Sequence, residues 1–216
     1  MDHSNCLAGP CEPLDKHLWE VALCVSQKSH YVALKLATVF KQDAREVKDL
    51  LFFGALLHDV GKADKRYVNS TGFFPLHEAL STTFVVHVFR KANIPHDCKL
   101  TQFTLSNAIL AAIALHHYSS KKYHNYNIPT SDLEPRCKNH LEAIKRWQPL
   151  SPLGNSLKQV ALNASNFQAS ECHRIILETT SRPIINKKLL QAISAILGIY
   201  GECDNEIAGK NRCNNV

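Results

Sequence analysis

A histidine followed by an aspartate at the end of an apolar helix can do metal chemistry. The chain has one at His58-Asp59-Val60-Gly61-Lys62. An imidazole binds one divalent cation, and a carboxylate can bridge two. Lys62, on the loop that follows, could meet a phosphate oxygen as a point charge. The bland alternative is a helix cap with a satisfied histidine. A second group is the His116-His117 pair, also at the end of an apolar helix. Neighbours on a helix point about 100° apart, so two histidines share one ion only near a frayed end, where these sit. A buried imidazole is costly unless hydrogen-bonded or metallated. His77, opening a helix in Pro75-Leu76-His77-Glu78, and His17, beside an apolar stripe, complete the set. Singly, either of these two reads more readily as a satisfied histidine. In the order His, His-Asp, His, His-His they supply five imidazoles and a carboxylate, much of a two-metal site. Two ions about 3.5–4 Å apart can clamp the attacking and leaving oxygens of a phosphodiester and acidify a water.

Helices must hold these side chains, because apolar residues recur at three-to-four spacing nearly throughout. The first stripe is Leu14, Leu18, Val21, Ala22 and Val25, with His17 beside it. A second helix is expected over Ser29–Lys41. Asp43 caps a third, with Glu46 three residues on in a capping-box arrangement. That helix ends at His58-Asp59, and Gly61 is its stop. A fourth is expected over Leu76–Asn93, closed by Pro95. A fifth, over Thr101–Tyr118, is apolar from Ile109 to Leu115 and therefore central. A short helix near Arg136–Trp147, a long one over Asn155–Thr180 and a last one over Ile185–Tyr200 follow. The expected fold is all-α, one compact helical bundle over residues 13–200, with mobile tails at 1–12 and 201–216.

A chain of 216 residues suits one such domain. Lys plus Arg is 25 against 19 Asp plus Glu, a net +6 that is compatible with nucleic acid without proving it. No apolar run approaches 18 residues, which excludes a membrane-spanning helix. The first ten residues lack the pattern of a signal peptide, so a cytoplasmic location is expected. There is no P-loop and no Gly-rich dinucleotide fingerprint. The eight cysteines form no C-x-x-C pair and are read as small buried hydrophobes, with intracellular disulfides the alternative. Two loops combine cations with aromatic rings: one holds Lys62, Lys65, Arg66, Tyr67, Phe73 and Phe74. The other holds Tyr118, Lys121, Lys122, Tyr123, His124 and Tyr126. Cations for phosphates and ring faces for bases are what a single-strand channel needs, so Lys62, Lys65, Arg66, Lys121, Lys122 and Tyr123 are candidate nucleic-acid contacts.

His17 in Leu14-Asp15-Lys16-His17-Leu18, the run His58-Asp59-Val60-Gly61-Lys62, His77 in Phe74-Pro75-Leu76-His77-Glu78 and the pair His116-His117 carry a resemblance. Over about residues 14–180 the chain resembles the HD superfamily of metal-dependent phosphohydrolases. Within it, the likeness is to the stand-alone HD nuclease of type I CRISPR interference. The resemblance implies a nuclease of antiviral defence, endo- or exonucleolytic, acting on DNA expected to be single-stranded. It implies one or two divalent ions per chain (Mn²⁺, Co²⁺, Ni²⁺ or Fe²⁺), a helicase subunit and an RNA-guided surveillance complex. It places His17, His58 and Asp59 at one ion and Asp59, His77, His116 and His117 at the other, with Asp59 and Lys62 catalytic. There is one departure. The family has a late Asp, and the stretch read as matching it, Leu162–Glu171, carries Ser165 at that position. The first ion would then lack a carboxylate and bind weakly. An HD phosphohydrolase of small nucleotides and a catalytically weak subunit that docks the helicase are the alternatives.

Overall fold

The apolar spacing resolves into helices in the computed structural model, which describes residues 6–67, 70, 72–117, 134–135, 137–164, 170–181 and 186–213. A short antiparallel hairpin, β1 (Leu7–Gly9) and β2 (Glu12–Pro13), leads directly into α1 (Leu14–Lys28). Then come α2 (His30–Phe40) and α3 (Ala44–Leu57), two 3-10 turns at Val60–Ala63 and Lys65–Tyr67, α4 (His77–Lys91) and α5 (Leu105–Leu115). The chain closes with α6 (Asn139–Arg146), α7 (Pro152–Leu162), α8 (Cys172–Thr180) and α9 (Lys187–Asn211). The protein is an all-α bundle, as its periodicity requires. Every residue of α5 is buried, and α5 packs against α3, α4, α8 and α9. A helix apolar on all sides has nowhere else to go. Helix α1 lies on α3, α6 and α9. The ends of α3 and α5, which carry His58-Asp59 and His116-His117, thereby meet in the interior.

Three expectations are corrected. The single helix over 155–180 is two helices, α7 and α8. Ser151 caps α7 by accepting from the Gly154 amide, and Pro152 sits in its first turn, where proline is at home. Most of the tail expected at 201–216 is helical: α9 runs on to Asn211. Its apolar stripe continues past Tyr200 through Cys203 and Ile207, both buried. At the other end, residues 7–13 form the hairpin, and Cys6, Ala8 and Glu12 are buried. The cysteines are not free hydrophobes either. All eight are paired, as Cys6–Cys137, Cys11–Cys213, Cys24–Cys203 and Cys98–Cys172. The Cα separations, 5.0–5.8 Å, suit disulfides. Three of the four hold the N-terminal segment or α1 to a distant part of the chain, two of them to α9 and the residues just after it.

Purified without reductant, the chain should be eight hydrogens lighter than its sequence mass. A single loop of about 100 residues is worth about 4–5 kcal/mol in the chain-entropy view. Full reduction should therefore lower the melting midpoint by at least about 10 °C. Free thiols in the denatured, unreduced chain would contradict the pairing. A second expectation concerns His140, buried with Nδ1 donating to the Cys137 carbonyl. Burial pushes its pKa down to about 4. A histidine held neutral in the fold contributes stability above its unfolded pKa of about 6.5, lost as pH falls through 4. The amount at stake is about 3 kcal/mol. His140→Gln should flatten the acid limb of a denaturation-versus-pH curve; an unchanged slope between pH 6.5 and 4 would remove His140 from that account.

Candidate metal centre

His58 and Asp59 close α3, and two close approaches set where they point. A side chain at Gly54 would collide with the Tyr200 hydroxyl of α9, which donates to the Leu51 carbonyl at 2.9 Å. A side chain at Gly61 would collide with the His77 carbonyl, and the Gly61 amide donates to Ser81 Oγ at 2.9 Å. Leu76, just before His77, is left-handed at φ 62°, ψ 20°, a conformation a non-glycine residue holds only when its surroundings enforce it. The turn after α3 and the start of α4 are thus pressed together, with Asp59 and His77 facing each other.

Asp59 is wholly buried, and its two oxygens face different ways. Oδ1 lies 2.8 Å from His77 Nε2 and 3.1 Å from His116 Nε2. Oδ2 lies 3.4 Å from His17 Nε2, 3.6 Å from His58 Nε2 and 2.5 Å from Lys62 Nζ. Two groups result: Asp59, His77, His116 and His117, and His17, His58, Asp59 and Asp204. Within each, one ligand atom per residue lies within 4.8 Å of all the others. Asp204 Oδ1 sits 3.2 Å from His17 Nε2 and 3.8 Å from His58 Nε2.

Hydrogen bonds at the far side of each ring determine which nitrogen faces inward. Nδ1 of His58, His77 and His116 donates to the carbonyl three residues earlier, Ala55, Phe74 and Ile113, at 2.6–2.7 Å. A carbonyl only accepts, so Nδ1 carries the proton and Nε2 is left with a lone pair when the ring is neutral. Nε2 of His17, His58 and His77 and Oδ1 of Asp204 are buried and face only one another and Asp59, at 2.8–3.8 Å, with no other hydrogen-bond partner. Orphaned buried donors and acceptors are rare and costly, and these converge. A divalent cation in each group would satisfy them, and a donor set of imidazoles with a shared carboxylate suits Mn²⁺, Fe²⁺, Co²⁺ or Ni²⁺.

The carboxylates and rings of the centre shift one another's pKa strongly. Burial would raise the Asp59 pKa, but Lys62, His58, His77 and His116 outweigh it and hold the carboxyl well below its usual range. Asp204, opposed by burial in the same way, is held down by His17 and His58. Burial disfavours charge on His17, yet Asp204, Asp59 and Glu12 push it up to about 10. His117 is pushed down to about 3 by burial and by His116, so its ring is neutral at pH 7.

The five histidines and Asp59 singled out in the sequence are brought together. The sequence match puts the family's late Asp at Ser165, a position outside the described residues, so a carboxylate is expected to be missing; one lies beside His17 and His58 from elsewhere, Asp204. It sits on the buried face of α9 at the i+4 position from Tyr200. The apolar stripe continuing through Cys203 and Ile207 was the signal that could have found it. Lys62 is also not where a loop contact to phosphate would sit. It is buried, donates to Asp59 and to the Ala8 carbonyl at 2.9 Å, and lies over the Phe74 ring at 5.2 Å. Lys65 pairs with Glu134 at 2.8 Å and Arg66 with buried Asp64 at 2.8 Å, both on the turn beside the site. Lys121, Lys122 and Tyr123 lie outside the described residues.

The family described as "Cas3, HD domain" matches residues 4–183. No curated protein matches. Among solved structures, the CRISPR-associated Cas3 HD domain protein of Methanocaldococcus jannaschii is similar in fold. It is 15% identical with a TM-score of 0.50, the match covering 93% of this chain and 98% of that one. Asp204 falls beyond the family match, on α9.

Calorimetric titration with Mn²⁺ should count two ions on the unaltered chain. Asp204→Asn should leave one tight ion and weaken the other at least tenfold, because only the group around His17 loses a carboxylate. Equal weakening of both ions would show that Asp204 supports the fold rather than one ion.

Proposed function

We propose that this chain, which belongs to the Cas3 HD-domain family, is a metal-dependent nuclease that hydrolyses phosphodiester bonds of DNA, single-stranded by preference. One observation carries the reading: a buried carboxylate whose two oxygens are divided between two convergent groups of imidazoles. When bound, a pair of divalent cations supplies the Lewis acidity for a phosphoryl oxygen and the acidified water that this hydrolysis needs. His17, His58, Asp59 and Asp204 would hold one ion, and Asp59, His77, His116 and His117 the other.

The chain's own groups do the rest. Asp59 fixes the spacing of the two groups, and Lys62 holds the Asp59 carboxylate in place and offsets its charge. The Nδ1 bonds to Ala55, Phe74 and Ile113 hold the rings in the tautomer that faces the centre. Lys65 and Arg66 sit on the adjoining turn, and the reading assigns phosphate contacts to them and to Lys121 and Lys122, with Tyr123 as a stacking surface. A helicase subunit and an RNA-guided surveillance complex are the partners this reading calls for, and a cytoplasmic location goes with them. No helix among the described residues is long and apolar enough to cross a membrane. The reading as a catalytically weak docking subunit rested on a missing carboxylate, and Asp204 removes that support.

A panel of single-stranded DNA, duplex DNA, RNA and mononucleotides, assayed with Mn²⁺, tests the proposal. Single-stranded DNA should be cut fastest. Asp59→Asn should reduce that rate by more than about 100-fold, because loss of an outer-shell partner alone costs about 10–100-fold. Hydrolysis of mononucleotides with no cleavage of any polymer would replace this reading with the small-nucleotide phosphohydrolase.

A further inference from the structure

Four of the site's histidines lie at helix ends; His17 does not. His58, His77, His116 and His117 lie at or beside the ends of α3, α4 and α5, and the Nδ1 partners of the first three are nearby backbone carbonyls. His17 is the fourth residue of α1, where the preceding carbonyls belong to the helix's own ladder. Its Nδ1 bonds instead to Glu12 Oε1 at 2.8 Å, and both side chains are fully buried. A carboxylate only accepts, so Nδ1 carries the proton and Nε2 turns to Asp59 and Asp204.

Glu12 is itself held from the far end of the chain. Arg212 Nε donates to its Oε2 at 3.0 Å, and Asn211 Nδ2 reaches Oε1 at 3.4 Å. The disulfide Cys11–Cys213 and the bond from the Cys213 amide to the Pro10 carbonyl flank that contact on both sides. A buried carboxylate needs partners on both oxygens, and here one oxygen is given to a ring that faces the candidate metal centre. We infer that Glu12 is a positioning residue for the ion held by His17, His58, Asp59 and Asp204: it fixes the tautomer and orientation of His17 and raises its basicity as a ligand. Arg212, reaching across from the C-terminal end of α9, keeps Glu12 aimed. The inference rests on the two-ion reading of the site.

The test reads metal binding rather than activity. In Glu12→Gln the amide oxygen still accepts from Nδ1 but carries no charge. Titration with Mn²⁺ should show the affinity at the Asp204 side falling about tenfold while the His117 side is unchanged. Arg212→Ala loosens the same clasp of chain ends without removing the acceptor, so it should lower the melting midpoint more than it lowers Mn²⁺ affinity. Unchanged affinity at both sides in Glu12→Gln overturns the inference. So does an equal loss at both sides that Arg212→Ala reproduces, since that marks a structural role alone. If Glu12→Gln fails to fold, the unaltered chain decides. Loaded with Zn²⁺, its His17 ring nitrogens should give ¹⁵N shifts of an Nδ1-protonated, Nε2-ligated imidazole, and the reverse assignment overturns the inference. An unaltered chain that binds no ion overturns this inference together with the nuclease reading, which separates that failure from the others.

Discussion

The Asp59 carboxylate is wholly buried, and a buried charge persists only where its surroundings repay the lost hydration. Four imidazoles and the Lys62 ammonium surround it, and they come from α1, the end of α3, the turn after it, the start of α4 and the end of α5. No short segment of chain could bring them together. The bundle exists around this point in a literal sense, because each of those elements is pinned where its ligand must sit. Gly61 lets the turn touch α4, Gly54 lets α3 touch Tyr200, and Leu76 accepts a left-handed backbone so that His77 can start its helix facing inward.

The chain's two ends extend the same logic. The hairpin at residues 7–13 presents Glu12 to His17, and the last turns of α9 bring Asp204 to the centre and Arg212 to Glu12. Cys24–Cys203 adjoins Asp204 and Cys11–Cys213 adjoins Glu12. The covalent ties therefore fall beside the groups whose placement depends on distant parts of the chain.

Much of this was legible from the residues. Three-to-four spacing announces an all-α bundle, and the uniformly apolar run from Ile109 to Leu115 marks α5 as central. His58-Asp59 and His116-His117 stood out because a helix end is where such pairs can act, and their order with His17 and His77 carried the family resemblance. Other features were not legible. Ser165 drew the late-carboxylate position because it follows a plausible sequence match. Asp204 lies beyond Tyr200, where the expected last helix ends, although the apolar stripe goes on to Ile207. Cysteine spacing without C-x-x-C cannot say which thiols meet, since pairing is decided by distances across the fold.

What the sequence determined by itself was local: helix periodicity, caps such as Asp43, and which residue types could ligate an ion. These follow from backbone geometry and side-chain chemistry within a few residues. Only the tertiary structure decided that Asp204 is the eighth member of the two groups' combined positions, counting Asp59 once for each, and that Lys62 turns inward to Asp59. It also decided that Glu12 orients His17 and that eight thiols pair. The reason is physical. For Asp204 and the thiols the partner lies tens to hundreds of residues away along the chain; Lys62 and Glu12 are close in sequence to Asp59 and His17, and the packing around them is what turns each pair inward.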